Sequence, residues 1–102
     1  MEKRVPHYNL PDVQTVVADQ TSRPFTVTDL RGGLELGLTE PEMRLVVLAL
    51  SCRNFYKSMT THVDHREWQD VYHGITDYGV AVYIKITAFS DGRPPVIQFK
   101  IK

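Results

Sequence analysis

The stretch Val80-Ala81-Val82-Tyr83-Ile84-Lys85-Ile86-Thr87-Ala88-Phe89 changes character at every second residue. In extended chain, successive side chains point to opposite faces. Val80, Val82, Ile84, Ile86 and Ala88 therefore share an apolar face, and Ala81, Tyr83, Lys85 and Thr87 share a mixed polar one. An apolar face opposite a polar one is the pattern of an antiparallel sheet covered on one side only. Downstream, Val96 to Lys102 repeats it: Ile97, Phe99 and Ile101 alternate with Gln98, Lys100 and Lys102. The intervening Ser90-Asp91-Gly92-Arg93-Pro94-Pro95 is rich in turn formers, so these two strands are expected to pair as a hairpin. Their polar faces would then merge into one surface bearing Tyr83, Lys85, Gln98 and Lys100.

Upstream, Phe55–Thr61 and Trp68–His73 are also rich in aromatic and β-branched residues and are read as strands, with a turn at Asp77-Tyr78-Gly79. Before residue 52 the period is helical. Asn9-Leu10-Pro11-Asp12 combines a side-chain cap, an early proline and a first-turn acid, and Leu10, Val13, Val16 and Val17 follow at helical spacing. A second helix is read over Thr28–Leu36 in spite of Gly32 and Gly33. Thr39-Glu40-Pro41-Glu42 is a capping box ahead of the apolar run Leu45–Leu50, which Ser51 ends. Ser22 to Phe25 is expected to be a short extended segment, because Arg23 precedes a proline. Helices first and hairpin-linked strands second give an α+β fold, with N-terminal helices packed on an antiparallel β-sheet.

With 102 residues there is room for one core, so residues 1–102 are read as a single domain. A chain that is 42% apolar and 24% charged, with six Gly and six Pro, is an ordinary globular composition and not a disordered one. No apolar run nears the roughly 18 residues that span a bilayer, and no apolar stretch follows the basic Lys3-Arg4, so neither membrane nor secretion is expected. A single cysteine, Cys52, suits a reducing, cytoplasmic setting. It is read as a buried residue at a helix end, and Trp68, Phe55 and Phe99 are read as core. The formal net charge is zero, but residues 1–51 hold 5 Lys/Arg against 7 Asp/Glu while residues 52–102 hold 7 against 5. A polyanion would meet the second half more readily.

On pattern alone, the face bearing Tyr83, Lys85, Gln98 and Lys100 fits two descriptions. One is the solvated side of a half-covered sheet; the other is cations facing a phosphate beside a phenol that moves a proton. His62-x-x-His65, with Asp64 between, has loose metal-ligand spacing and no paired acidic cluster behind it.

Phe55-Tyr56-Lys57-Ser58-Met59-Thr60-Thr61, then Asp64-His65, then Trp68-Gln69-Asp70-Val71-Tyr72 closely resembles the core of the MqsR toxin family. The strand Val82–Thr87, the ending Phe99-Lys100, the opening Met1-Glu2-Lys3-Arg4 with Pro6-His7, and Glu35-Leu36-Gly37-Leu38 are similar to the remaining elements, so the resemblance runs through nearly the whole chain. It implies a RelE/YoeB-like fold and a toxin of a bacterial toxin–antitoxin pair. Such a toxin is an endoribonuclease that cuts free mRNA at GCU-type sites without the ribosome. Neither metal nor other cofactor is implied. The implied partners are mRNA and a cognate MqsA-like antitoxin, with DNA reached only through that antitoxin.

The family's catalytic residues carry over onto Lys57, Gln69, Tyr83 and Lys100. Lys57 and Lys100 are expected to stabilise phosphate charge, Tyr83 to donate a proton or hold phosphate, and Gln69 to position by hydrogen bonding. His65 and Lys85 are secondary candidates; an unperturbed imidazole, with a pKa near 6.5, is the natural rival for the base. Three departures from the family pattern stand out: longer segments at 74–79 and 90–95, a neutral chain, and His62 in place of an aromatic residue. Two alternatives follow. In one, a catalytically weak toxin-like module acts mainly through antitoxin binding and transcriptional autoregulation. In the other, a metal-dependent nuclease uses His62, Asp64 and His65.

Overall fold

The computed structural model describes residues 1–61, 66–87 and 95–102. Helices α1 (Leu10–Ala18), α2 (Val27–Glu35) and α3 (Glu40–Leu48) are followed by a 3₁₀ turn at Cys52–Asn54. The sheet comprises β1 (Glu2–Lys3), β2 (Phe55–Thr60), β3 (Trp68–Ile75), β4 (Ala81–Thr87) and β5 (Val96–Ile101). Its strands lie in chain order, each antiparallel to the next. The expected α+β architecture is present, with the helices on one face of the sheet.

The helix starts follow from their caps. Asn9 Oδ1 accepts the Asp12 N–H at 3.0 Å, and Thr39 and Glu42 close the expected capping box. A second box, Thr26 with Asp29, starts α2 one residue earlier than read from the sequence. The α2 glycines have a packing reason. A Cβ on Gly33 would collide with the Met43 thioether of α3, and one on Gly32 would lie 3.4 Å from the Phe99 carbonyl of β5. Buried Arg44 joins α3 to the end of α1, where it donates to the carbonyls of Val17 (2.7 Å), Asp19 (3.1 Å) and Ser22 (2.8 Å). Those carbonyls include the ones a helix C-terminus leaves unpaired. Glu40 Oε1 holds the other side of the guanidinium at 2.9 Å.

The core combines Val13, Val17, Met43, Val46 and Val47 from α1 and α3 with Val82, Ile84, Ile86, Ile97 and Phe99 from β4 and β5. This is the apolar face that the alternation identifies. Several expectations are corrected. Cys52 is exposed, because it begins the 3₁₀ turn at the surface and does not end a packed helix. Trp68 is half-buried rather than core, covered by His7 and Lys3, whereas Phe55 is partly buried and packs on the core, edge-on to Tyr72. Strand β3 continues through Gly74 and Ile75, so the expected loop at 74–79 shrinks to a turn ending in Gly79 (φ +79°). At Gly74 a Cβ would come within 2.7 Å of Ile84 Cδ1 and 3.4 Å of Val46 Cγ1, so a larger residue there would make those core side chains shift. Ser22–Phe25 lies outside the regular elements and runs alongside β5. There the Pro24 carbonyl accepts the Ile97 N–H at 3.0 Å, blunting the outer edge of β5.

Strand β1 carried no sequence signal because it is two residues long. Its position comes from tertiary contacts. Glu2 pairs with Met59 and Lys3 with Ser58, and the Lys3 ammonium sits 4.1 Å from the Trp68 ring centroid. The next residues are tied to buried Asp70, whose carboxylate accepts the backbone N–H of His7 (3.0 Å) and of Tyr8 (2.9 Å).

Candidate active site on the open sheet face

The sheet face turned away from the helices carries the odd-numbered residues of β3 and β4 and the even-numbered ones of β5. Register arranges them in cross-strand rows. His73 faces Tyr83, which faces Lys100; Lys57 faces Val71, then Lys85, then Gln98; Met59 faces Gln69, then Thr87. The expected merging of Tyr83, Lys85, Gln98 and Lys100 into one surface is observed.

A bulge between Phe55 and Lys57 adds to this surface. A bulge sets two residues against one on the partner strand, so alternation lapses there. Phe55 keeps to the core side, and both Tyr56 and Lys57 come to the open face. The Arg4 guanidinium donates to the Tyr56 carbonyl at 3.5 Å. The Tyr56 ring lies 4.6 Å from His73 and 6.4 Å from Tyr83, with His73 edge-on to Tyr83 at 5.1 Å. Beside this aromatic cluster is a pocket of about 320 Å³ lined by Tyr56, Lys57, Met59, Val71, Tyr83 and Lys85. It has an apolar floor, two phenols and two ammonium groups.

The cations differ in character. Glu2 holds Lys57 at 2.6 Å, and its carboxylate moves the Lys57 pKa upward and has its own lowered in return. Lys57 is thereby fixed as a cation. Lys85 goes the other way: burial, then the charges of Lys100 and Lys57, lower its pKa. The Lys102 ammonium donates to His73 Nδ1 at 3.4 Å, while buried His73 Nε2 has no hydrogen-bond partner among the described residues. Burial, then Lys102, keeps the His73 pKa below the ordinary imidazole value, so the ring is neutral at pH 7.

Of the sequence-derived residues, Lys57, Tyr83 and Lys85 line one pocket, and Lys100 is Tyr83's cross-strand neighbour. Gln69 shares the face but not the pocket. It lies four residues along β3 from His73, about 13 Å at strand rise. His65, with His62 and Asp64, lies outside the described residues. Tyr56, His73 and Glu2 were not picked out from sequence. Alternation with Gln69 would have placed His73 on this face; the bulge that turns Tyr56 outward and the pairing that brings in Glu2 left no local trace. Among the described residues no group of three His, Cys, Asp or Glu is arranged to hold a metal ion.

Chemically, the face offers fixed positive charge, a partly desolvated amine and a phenol around a pocket open to solvent. RNA carries its own nucleophile, the 2′-hydroxyl. What it requires of a protein is charge stabilisation at phosphorus and groups that move protons. The family model described as motility quorum-sensing regulator, toxin of MqsA, matches residues 5–101. The chain is also 43% identical to the mRNA interferase toxin MqsR of Escherichia coli (strain K12), with all 102 residues and the whole of that relative covered.

Proposed function

Because the chain belongs to the motility quorum-sensing regulator family of toxins, it is an endoribonuclease toxin, and we propose that it cuts free mRNA at GCU-type sites, without ribosome or metal, by attack of the 2′-hydroxyl. The observation that carries this is the convergence of Lys57, Tyr83 and Lys85 on one pocket, with Lys100 beside Tyr83. Lys57 and Lys100 stabilise the charge of the pentacoordinate phosphorane. Lys85, whose pKa is depressed, accepts the 2′-hydroxyl proton better than Lys57, whose charge Glu2 secures. As the 2′-oxygen bonds to phosphorus and the bond to the 5′-oxygen breaks, Tyr83 protonates the leaving oxygen. The products are a 2′,3′-cyclic phosphate and a 5′-hydroxyl. Gln69, outside the pocket, contacts a neighbouring nucleotide and positions it.

No described helix is long and apolar enough to cross a membrane. The toxin acts in the cytoplasm, where an MqsA-like antitoxin neutralises it and provides its only link to DNA.

The test is cleavage of a GCU-containing RNA by the purified chain, with and without EDTA. Wild-type protein is expected to cut in both. Lys57→Ala and Tyr83→Phe are expected to lose about 100-fold or more in rate, as removal of a charge-stabilising or proton-transferring group does. Gln69→Ala is expected to lose less. Absence of cleavage by folded wild-type protein would leave only the alternative of a module acting through antitoxin binding. Loss in EDTA would favour the nuclease that uses His62, Asp64 and His65.

A further inference from the structure

The Glu2 carboxylate lies against the Lys57 ammonium, one of the cations lining the pocket. We propose that Glu2 is a positioning residue: it holds the Lys57 ammonium at the mouth of the pocket and competes with substrate phosphate for it. The proposal rests on the reading of this face as a phosphate-binding one.

Three observations support it. The contact is short, 2.6 Å between Glu2 Oε1 and Lys57 Nζ. Glu2 is also held on this face by register, since it pairs with Met59, whose side chain lines the same pocket. That register is anchored along the strand edge and from the helix side of the sheet. Thr60 N–H donates to the Met1 carbonyl at 3.0 Å, Lys3 rests on Trp68, and Asp70 holds the backbone of His7 and Tyr8. The backbone of Glu2 is thereby held at the site, so its carboxylate stays within reach of Lys57.

The pair is also exchangeable. The Glu2 side chain is 53% exposed and that of Lys57 24%, and ion pairs this open to water are weak. A phosphate dianion or an RNA phosphodiester can displace the carboxylate without disturbing the fold. Until it does, the ammonium is kept charged and aimed. Its position 5.2 Å from the Tyr56 ring centroid limits where it can swing. When phosphate binds, Lys57 changes partner, and the freed carboxylate repels the anion from close range. Glu2 therefore weakens ground-state binding of phosphate and keeps Lys57 ready for charge that develops later.

The experiment uses inorganic phosphate as the probe, followed through NMR shifts of Tyr56 and Lys57. Wild type, Glu2→Gln and Glu2→Asp are compared at low salt. Glu2→Gln is expected to bind phosphate about three-fold more tightly, an advantage that shrinks as salt screens the site. Glu2→Asp, which keeps the charge, is expected to stay near wild type. With a GCU-containing RNA the gain in Glu2→Gln should fall on KM rather than kcat. Unchanged or weaker phosphate binding in Glu2→Gln, with a melting temperature matching wild type, would overturn the proposal. Should the wild-type chain bind phosphate but cut no RNA, the ribonuclease reading fails while the titration still decides the role of Glu2.

Discussion

Replacing Asp70 with asparagine separates the tether of the N-terminal strand from everything else in the sheet. Asp70 is 1% exposed, and its carboxylate accepts N–H bonds from His7, at 3.0 Å to either oxygen, and from Tyr8 at 2.9 Å. Asparagine keeps the shape but replaces two charge-assisted bonds by neutral ones, at a cost of about 1 kcal/mol each. It also buries an amide NH₂ against N–H donors, which adds about 1 kcal/mol. The expected loss is about 3 kcal/mol, or about 12 °C or more in Tm for a domain of this size.

Urea and thermal unfolding at pH 7 measure that loss, and hydrogen exchange at the Thr60 amide, which donates to Met1, locates it. Exchange at Thr60 should rise well above its rise at core amides such as those of β4. A stability within about 0.5 kcal/mol of wild type would refute the charge-assisted account. Full Thr60 protection in the variant would show that β1 keeps its place without Asp70.

Arg44→Met keeps the aliphatic stem and removes the guanidinium donors to the carbonyls of Val17, Asp19 and Ser22, while Ser22 Oγ still donates to those of Val16 and Asp19. Leaving those carbonyls without the guanidinium is expected to cost about 3 kcal/mol in urea unfolding, and a loss below about 1 kcal/mol would mean that water replaces the guanidinium there. Burial, then Asp70 and Cys52, pushes the Tyr72 phenol up to about 12. Because this pKa is raised above that of a free phenol, the fold favours the neutral ring. The contribution is complete below about pH 10 and lost as pH climbs from there to 12, about 2–3 kcal/mol in all. Tyr72→Phe should flatten that alkaline fall in a pH series of urea melts, and an unchanged slope would contradict it.

The sequence by itself determined the sheet's two faces. Because side-chain direction alternates strictly along β4 and β5, Val82, Ile84, Ile86, Ile97 and Phe99 had to be buried together. Tyr83, Lys85, Gln98 and Lys100 had to emerge together on the other side. The helix starts were legible for a similar reason, since caps and first-turn acids act over three or four residues. Lys57 and Gln69 came from resemblance to a family, not from periodicity. What only the tertiary structure decided depends on partners distant in the chain. A bulge turns Tyr56 to the open face, and a two-residue strand carries Glu2 to Lys57, 55 positions away. Neither leaves a local periodic signal. Asp70 looks like any polar strand residue until the backbone of His7 and Tyr8 is placed over it, and Arg44 like a solvated helix residue until α1 ends against it. The pocket's electrostatics were decided in the same way: Lys57 and Lys85 are the same residue type, and their opposite pKa shifts come from Glu2 beside one and burial around the other.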